Sequence, residues 1–209
     1  MEWSDAKIIG SWIGFGLLHS LFANDEVKAS VLRVLPAAAS RWYRAAYNVA
    51  SLGLTAVVGD GLLRNVERSD AIIFHEGVRS VVSNSVAVLA AAGFVSVCTA
   101  YDMLFFFGVK AAPSQPLGWC TLHRFVRHPW YTCALAFLWS RSMDRAKLLS
   151  TAMMTLYFFV GSRFEERRLC NMPGGAGARY RRYCTLVPGI IPLPWCFLTT
   201  TQISNVFST

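Results

Sequence analysis

Long apolar runs separated by short clusters of basic residues constrain this sequence more than any other feature. The run over residues 81–107 contains a single charged side chain, Asp102. A helix needs about 20 apolar residues to cross the hydrocarbon core of a membrane, so this run predicts a membrane-spanning helix. Residues 8–23 and 47–63 form two more such runs, the second interrupted by Asp60. The sequence therefore predicts an all-α integral membrane protein, with the first run as a retained helix.

The composition agrees with a membrane location. Of the 209 residues, 54% are hydrophobic and 15% are charged, whereas soluble proteins carry about 25% charged residues. The formal net charge of +8 comes from basic residues in short clusters, which favours anionic membrane lipids as partners and excludes a nucleic-acid stripe. The six cysteines form no C-x-x-C pair, so neither a disulfide framework nor a metal site is expected. No feature of the sequence indicates an oligomeric state.

Two further predicted helices, residues 129–139 and 146–169, form a short helix-turn-helix hairpin. The motif Arg127-His128-Pro129-Trp130-Tyr131 opens the first helix, and Glu165-Glu166-Arg167-Arg168-Leu169 closes the second. Because a hairpin returns to the side on which it began, both motifs are expected on one face, close enough to line one site. The fold prediction is thus about five transmembrane helices in a single domain, 1–209, with its core at about 8–195.

The C-terminal part is predicted to be less regular. Residues 173–177 read Pro-Gly-Gly-Ala-Gly and predict a loop. Residues 186–198 are apolar but contain three prolines, which predicts an interfacial or re-entrant segment, and the polar tail 199–209 is predicted to be disordered. If the N-terminus lies on the outer side of the membrane, most Lys and Arg residues lie in loops on the inner side. The C-terminal segment and both motifs would then face the cytoplasm.

The motif residues suit a zwitterionic ligand that carries an aromatic ring. Carboxylates can hold an ammonium group, cations can hold a carboxylate, and aromatic rings can sandwich a heterocycle; S-adenosylmethionine has all three parts. Tyr180 and Tyr183 add two rings on one helical face, because they are three residues apart. Either charged motif alone is better explained by ordinary interfacial charges, whereas the two together on one side favour a binding site.

These motifs resemble those of the isoprenylcysteine and phospholipid methyltransferase superfamily of integral membrane enzymes. The order R-H-P-x-Y, hairpin, E-E-x-x-L, glycine loop, Y-x-x-Y and V-P carries the resemblance. Leu18-His19-Ser20-Leu21-Phe22-Ala23 and Arg44-Ala45-Ala46-Tyr47-Asn48 are similar to the branch that contains methanethiol S-methyltransferase and the NnrU proteins. Cys133 departs from the pattern, since the family usually has glycine there.

The resemblance implies a methyltransferase of the bacterial inner membrane with S-adenosyl-L-methionine as its cofactor. Transfer would be to a small or lipophilic acceptor, with a thiol favoured, as in the methylation of methanethiol to dimethyl sulfide. Arg127, His128 and Glu165 would be catalytic, and no metal is expected for an in-line transfer. The implied cofactor-binding residues are Arg127, His128, Pro129, Tyr131, Glu165, Glu166, Tyr180 and Tyr183. The residues expected to line the acceptor cavity are His19, Ser20, Asn48 and Asp102.

Two other interpretations compete with this one. His19 and His128 resemble the histidines that ligate haem b in the zeta-carotene isomerase relatives of NnrU, so a haem-binding membrane protein is the main alternative. Those relatives lack the paired glutamates that this sequence keeps at Glu165 and Glu166, which favours the methyltransferase. A non-enzymatic membrane scaffold is the third interpretation, and it leaves the paired charges on the hairpin without a role.

Overall fold

The computed structural model describes residues 5–36, 42–59, 70–110, 119–173 and 175–207, and within these ranges it is all-helical. The prediction of an all-α protein is therefore confirmed. A short 3₁₀ helix covers Thr121–Arg124, and an isolated antiparallel bridge joins Ile73 to Met143. The α-helices are α1 (Asp5–Ala23), α2 (Asp25–Val34), α3 (Tyr43–Val58), α4 (Gly77–Ala100), α5 (Met103–Phe106), α6 (Pro129–Trp139), α7 (Arg145–Cys170), α8 (Ala176–Leu186) and α9 (Thr200–Phe207).

Two of the described helices, α1 and α4, are long and apolar enough to cross a membrane. Helix α3 has 16 residues and α6 has 11, and both are shorter than the length of about 20 residues that a span requires. Residues 60–63, the predicted end of the second span, lie outside the described residues. Five transmembrane helices therefore stay a prediction.

The predicted run over residues 81–107 is not one helix. Helix α4 ends at Ala100, and α5 begins at Met103. Asp102 separates them because its side chain is an N-cap: Oδ1 accepts a hydrogen bond from the backbone N–H of Phe105 at 3.1 Å. Lys110 forms an ion pair with the same carboxylate at 3.2 Å. The one charged residue of this apolar run thus starts a new helix.

The contacts of the chain cluster into two compact units. The first comprises the described residues within Met1–Glu76, Tyr101–Gly118 and Arg141–Met154, and the second those within Gly77–Ala100, Trp119–Ser140 and Thr155–Thr209. In the first unit, α1 packs against α2 and α3, and Asp5 at its start accepts a hydrogen bond from Arg145 Nε at 2.9 Å. The candidate site lies in the second unit.

Packing of α4 against α6 positions the first motif of the second unit. Pro129 occupies the first turn of α6, where a missing N–H costs nothing. Gly93 on α4 faces Cys133 on α6 so closely that a Cβ added at Gly93 would lie 2.9 Å from the Cys133 thiol. The cysteine that replaces the expected glycine is therefore accommodated by a glycine on the neighbouring helix. Phe94 also stacks on Trp130, with ring centroids 6.0 Å apart.

The C-terminal segment differs from the sequence prediction in two places. The predicted loop over 173–177 is shorter, because α8 starts at Ala176 after Gly175, which has a φ of +80°. The tail is not disordered over Thr200–Phe207, where α9 forms. Thr199 and Gln202 stabilise its start, since Gln202 Oε1 accepts the Thr199 N–H at 2.9 Å. The prediction failed because polar capping residues resemble a polar tail. No regular helix forms between Leu186 and Thr200, as predicted.

A small apolar cluster anchors α8 and the segment that follows it. Tyr183, Val187 and Leu198 are almost fully buried, and Ile203 of α9 packs against them. The backbone of Leu198 also donates to the carbonyl of Arg124 at 2.9 Å. This cluster stabilises the packing of α9 against α8, because the apolar side chain of Ile203 is partly buried there.

Replacing Gly177 with Ala should lower the free energy of unfolding by about 1–3 kcal/mol, the usual effect of overpacking. An added Cβ would collide with the carbonyl oxygen of Cys170 and lie 2.7 Å from that of Met172. Gly161→Ala is the matched control, because among the described residues no atom lies within 4 Å of its Cβ position apart from its chain neighbours and the nearby backbone of its own helix. That control should gain stability, by up to about 1 kcal/mol. Denaturant unfolding measures both variants, and equal stability would contradict the close α7–α8 packing.

Candidate functional site

The centre of the site is a buried ion pair between Arg127, which precedes α6, and Glu166 on α7. Arg127 Nε and Nη2 donate to Glu166 Oε1 at 2.9 Å and 2.7 Å. The two side chains are only 9% and 12% exposed, so the pair is largely shielded from water. The prediction that the hairpin brings the two motifs together is confirmed by this contact.

Arg127 also binds the end of α8. Its Nη1 donates to the carbonyl oxygens of Cys184, at 3.1 Å, and of Val187. Its backbone N–H lies 2.9 Å from the carbonyl oxygen of Pro188 and 3.0 Å from that of Gly189. Burial alone would lower the pKa of Arg127, but the hydrogen bond and charge of Glu166 raise that pKa above its usual value. The guanidinium thus stays charged and holds three segments together.

His128 is the second partner of Glu166. Its Nε2 lies 3.0 Å from Glu166 Oε1, and its Nδ1 lies 3.6 Å from Oε2 of the neighbouring Glu165. The imidazole ring stacks on Tyr131, with centroids 5.4 Å apart and planes tilted by 11°. Tyr131 in turn stacks on Phe158 of α7 at 4.6 Å. A column of three rings therefore stands beside the two carboxylates.

The two glutamates occupy different environments. Glu166 is buried and bound to Arg127 and His128, whereas the side chain of Glu165 is 50% exposed. The Tyr131 hydroxyl donates to Glu165 Oε2 at a long 3.4 Å. Arg163, whose side chain is 74% exposed, lies with Nη1 4.0 Å from Glu166 Oε2. Glu166 therefore forms the base of the site, and Glu165 forms its accessible edge with Arg163 nearby.

The two predicted cofactor-binding tyrosines lie on α8 with ring centroids 5.8 Å apart. Tyr183 is buried, and its hydroxyl donates to the carbonyl oxygen of His123 at 2.5 Å. Tyr180 is less buried; burial, together with the nearby Cys184 and Glu166, raises the pKa of its phenol. The Tyr183 hydroxyl is thus used in a hydrogen bond that holds α8 in place. The charges of Glu166 and Arg127 instead act on the pKa of the Tyr180 phenol.

The predicted acceptor-binding residues all lie in the first unit. His19 on α1 meets Tyr47 on α3, with the Tyr47 hydroxyl 2.8 Å from His19 Nε2. Both line an apolar cavity of about 240 Å³ between these helices, together with residues such as Leu18 and Phe22.

The other three acceptor candidates have different surroundings within the first unit. Asn48 Nδ2 donates to the carbonyl oxygen of Phe106 at 2.7 Å, Asp102 caps α5, and Ser20 is exposed. Of the four candidates, His19 alone is among the residues that line this cavity.

Sequence reasoning missed several residues of the second-unit site. Phe158, which stacks on Tyr131, lies seven residues before Glu165 and therefore on the same face of α7, so helical spacing could have identified it. The carbonyl groups of Cys184, Val187 and Gly189 carry no sequence signal, because every residue has one. They became part of the site through the position of the last turn of α8 and of the segment that follows it.

Comparison with known proteins gives one partial match. No protein-family model matches the chain, and no solved structure matches it. Over 72 residues the chain is 39% identical to Methanethiol S-methyltransferase 1 of Bradyrhizobium diazoefficiens. This segment is 34% of the chain and spans 24% of that curated relative's length. Part of this chain is therefore similar in sequence to part of a methyltransferase.

Proposed function

We propose that this protein is an integral membrane methyltransferase that uses S-adenosyl-L-methionine to methylate a small or lipophilic acceptor, with a thiol such as methanethiol as the favoured substrate. Two helices that could span a membrane and the partial similarity to a methanethiol S-methyltransferase support this proposal. We further propose that the membrane is a bacterial inner membrane, with the N-terminus outside and the site at the cytoplasmic face.

The observation that carries the proposal is the half-exposed carboxylate of Glu165 at the edge of a rigid aromatic column. His128 and Tyr131 are stacked, and both lie near Glu165 Oε2. Beneath them, Glu166 contacts both Arg127 and His128, the first ring of the column. A ligand with a cationic group would meet a carboxylate that is already in place beside aromatic side chains, which lowers the entropic cost of binding.

The residues can be assigned to the parts of such a ligand. S-adenosylmethionine, when bound, would supply a methyl group on its sulfonium sulfur, for attack by the acceptor in line with the C–S bond and with the neutral thioether as the leaving group. Glu165 accepts hydrogen bonds from the ammonium group, and Tyr131, whose ring is stacked between His128 and Phe158, orients that carboxylate through its hydroxyl. Arg163 is the exposed cation nearest to Glu166 among the contacts described, and we assign the ligand carboxylate to it. Arg127 instead positions Glu166, His128 and α8.

This assignment changes the roles that the sequence indicated. Arg127 was expected to hold the cofactor directly, but its Nε, Nη1 and Nη2 atoms all donate within the protein. Glu166 and His128 likewise bind each other. Because methyl transfer requires alignment of donor and acceptor and exclusion of water, a rigid base is a functional contribution of these residues.

Glu165→Gln should weaken binding of S-adenosylhomocysteine at least tenfold while leaving the fold unchanged. A hydrogen bond to a charged group contributes about 1.5–3 kcal/mol, and each 1.4 kcal/mol is a tenfold change in affinity. Calorimetric titration of the lipid-reconstituted protein measures this. Glu26→Gln on exposed α2 is the control and should bind like the wild type. Wild-type affinity in Glu165→Gln would overturn the assignment of Glu165 to the ammonium group.

The alternative function, haem binding, requires that His128 ligate the haem iron. The Nε2 atom that would ligate iron lies 3.0 Å from Glu166 Oε1, so ligation would require the buried contact to break. His19 and His128 also belong to different units. A Soret band in the purified protein, or a spectral shift on adding haem, would favour that alternative over the methyltransferase.

A further inference from the structure

The apolar cavity between α1 and α3 has a size and a lining that suit hydrocarbon. Its volume is about 240 Å³. An apolar cavity of about 150 Å³ can bind benzene, so by proportion this one has room for roughly ten carbon atoms. Leu18 and Phe22 of α1 and Leu54 of α3 lie in its wall. These side chains are between 39% and 47% exposed, so the cavity opens at the surface of the helix pair.

Two small residues of α3 make room for this cavity. Ala46 and Ala50 both line it, and because they are four residues apart they lie on one face of the helix. The larger residues Tyr43 and Tyr47 occupy the neighbouring positions and contact α1. The tyrosines therefore hold the two helices together, while the alanines, whose side chains end at Cβ, leave the space open.

The two tyrosines and the histidine that line the cavity have partners within the protein. The Tyr43 hydroxyl donates to the carbonyl oxygen of Phe22 at 2.9 Å, and the Tyr47 hydroxyl lies 2.8 Å from His19 Nε2. Cavities that hold water offer it several polar partners, whereas these groups bind each other or the backbone. The cavity therefore favours an apolar occupant over water.

The cavity is elongated along the helix axis. Its lining residues on α3 run from Tyr43 to Leu54, a distance of about 16 Å at the helical rise of about 1.5 Å per residue. The Tyr43 end lies where α1 is followed by the charged α2, because α2 begins with Asp25 shortly after Phe22. Trp42, half exposed just before α3, is a residue type typical of the membrane interface. An occupant would therefore extend from a polar end into the apolar run of α3.

We propose that this cavity binds one acyl chain of a membrane phospholipid, with the lipid headgroup at the Tyr43 end. A chain fits an elongated apolar space better than a compact ring does. Since α1 is long and apolar enough to cross a membrane, such chains are present at the opening of the cavity. The surrounding lipid is as apolar as the cavity, so the gain in binding comes from close packing against the helices. This inference does not depend on the proposed methyl transfer.

The test is photolabelling of the full chain in vesicles of phosphatidylethanolamine and phosphatidylglycerol that contain a phospholipid with a diazirine in one acyl chain. Peptide mass spectrometry then locates the label. Leu89 on α4 is the reference for lipid at an open helix surface, since it is 72% exposed. We expect several-fold more label on Leu18 and Ala50 than on Leu89. Equal label on all three would show ordinary surface lipid only and would overturn the proposal.

Filling the cavity provides a matched pair of variants. Ala50→Phe should lower the label on Leu18 to the level of Leu89, because the added ring occupies the space of the chain. Ala56→Phe is the control and should leave the label on Leu18 unchanged, since Ala56 is exposed on α3 and is not among the residues that line the cavity. Undiminished label on Leu18 in folded Ala50→Phe would contradict the proposal. If circular dichroism shows that this variant is unfolded, Ala46→Leu and the wild-type distribution of label decide.

Discussion

Glu166→Gln should lower the free energy of unfolding by about 3–5 kcal/mol, the usual result of removing one partner of a buried ion pair. Arg127 would keep its charge in a site where its side chain is 9% exposed, without the carboxylate that compensates for its burial. His128 would lose the same partner. Thermal and denaturant unfolding of the reconstituted protein measure the loss. We also expect no measurable binding of S-adenosylhomocysteine by this variant.

Glu165→Gln is the matched comparison for this prediction. Glu165 is the adjacent residue on the same helix, carries the same charge and is half exposed, so its removal should change stability by less than about 1 kcal/mol, as for other exposed charged groups. Glu166→Gln should thus lower both the free energy of unfolding and the affinity for S-adenosylhomocysteine, whereas Glu165→Gln should lower mainly the affinity. If Glu166→Gln were as stable as Glu165→Gln, the buried pair would not be the base of the site.

Arg127→Lys should also disrupt the site, although it keeps the positive charge. Lysine has one ammonium group in place of the planar fork, so it cannot donate to Glu166, to the Cys184 carbonyl and to the Val187 carbonyl in the observed arrangement. Hydrogen bonds from a charged donor contribute about 1.5–3 kcal/mol each, and the variant is expected to lose at least one of them. Binding of S-adenosylhomocysteine should weaken more than tenfold.

Arg182→Lys is the control for replacing an arginine with a lysine. Arg182 is exposed on α8 and lies outside the proposed site, so its replacement should leave stability and binding within about 0.5 kcal/mol of the wild type. Limited proteolysis would report whether the segment after α8 loosens in Arg127→Lys. Equal affinity of the Arg127 and Arg182 variants would show that the fork of Arg127 does not organise the site.

Sequence reasoning succeeded where a local pattern determines the outcome. The bounds of α6 follow from Pro129 at its first position and from the end of its apolar run at Trp139. The meeting of Arg127 with Glu166 follows from the geometry of a hairpin, which returns the chain to one side. These features need no knowledge of distant contacts, and the structure agrees with them.

The sequence could not determine which glutamate is buried. Neighbouring residues on a helix point in directions about 100° apart, so the choice between Glu165 and Glu166 depends on how α7 is rotated against α6. The buried Tyr183 illustrates the same limit, because its hydroxyl partner is a carbonyl group sixty residues away. Asp102 was missed as a cap for another reason: a single charge inside a long apolar run suggests a functional group as readily as a helix start.

The most direct test of the proposed function is transfer of a labelled methyl group. The wild-type protein, reconstituted in lipid, is incubated with S-adenosylmethionine labelled on its methyl group and with methanethiol, other small thiols, isoprenyl-cysteine analogues or lipid extracts. We expect labelled dimethyl sulfide from methanethiol with the wild type, and strongly reduced label with Glu165→Gln. Absence of label in every acceptor, from protein that is folded, would contradict the assignment of this chain as a methyltransferase.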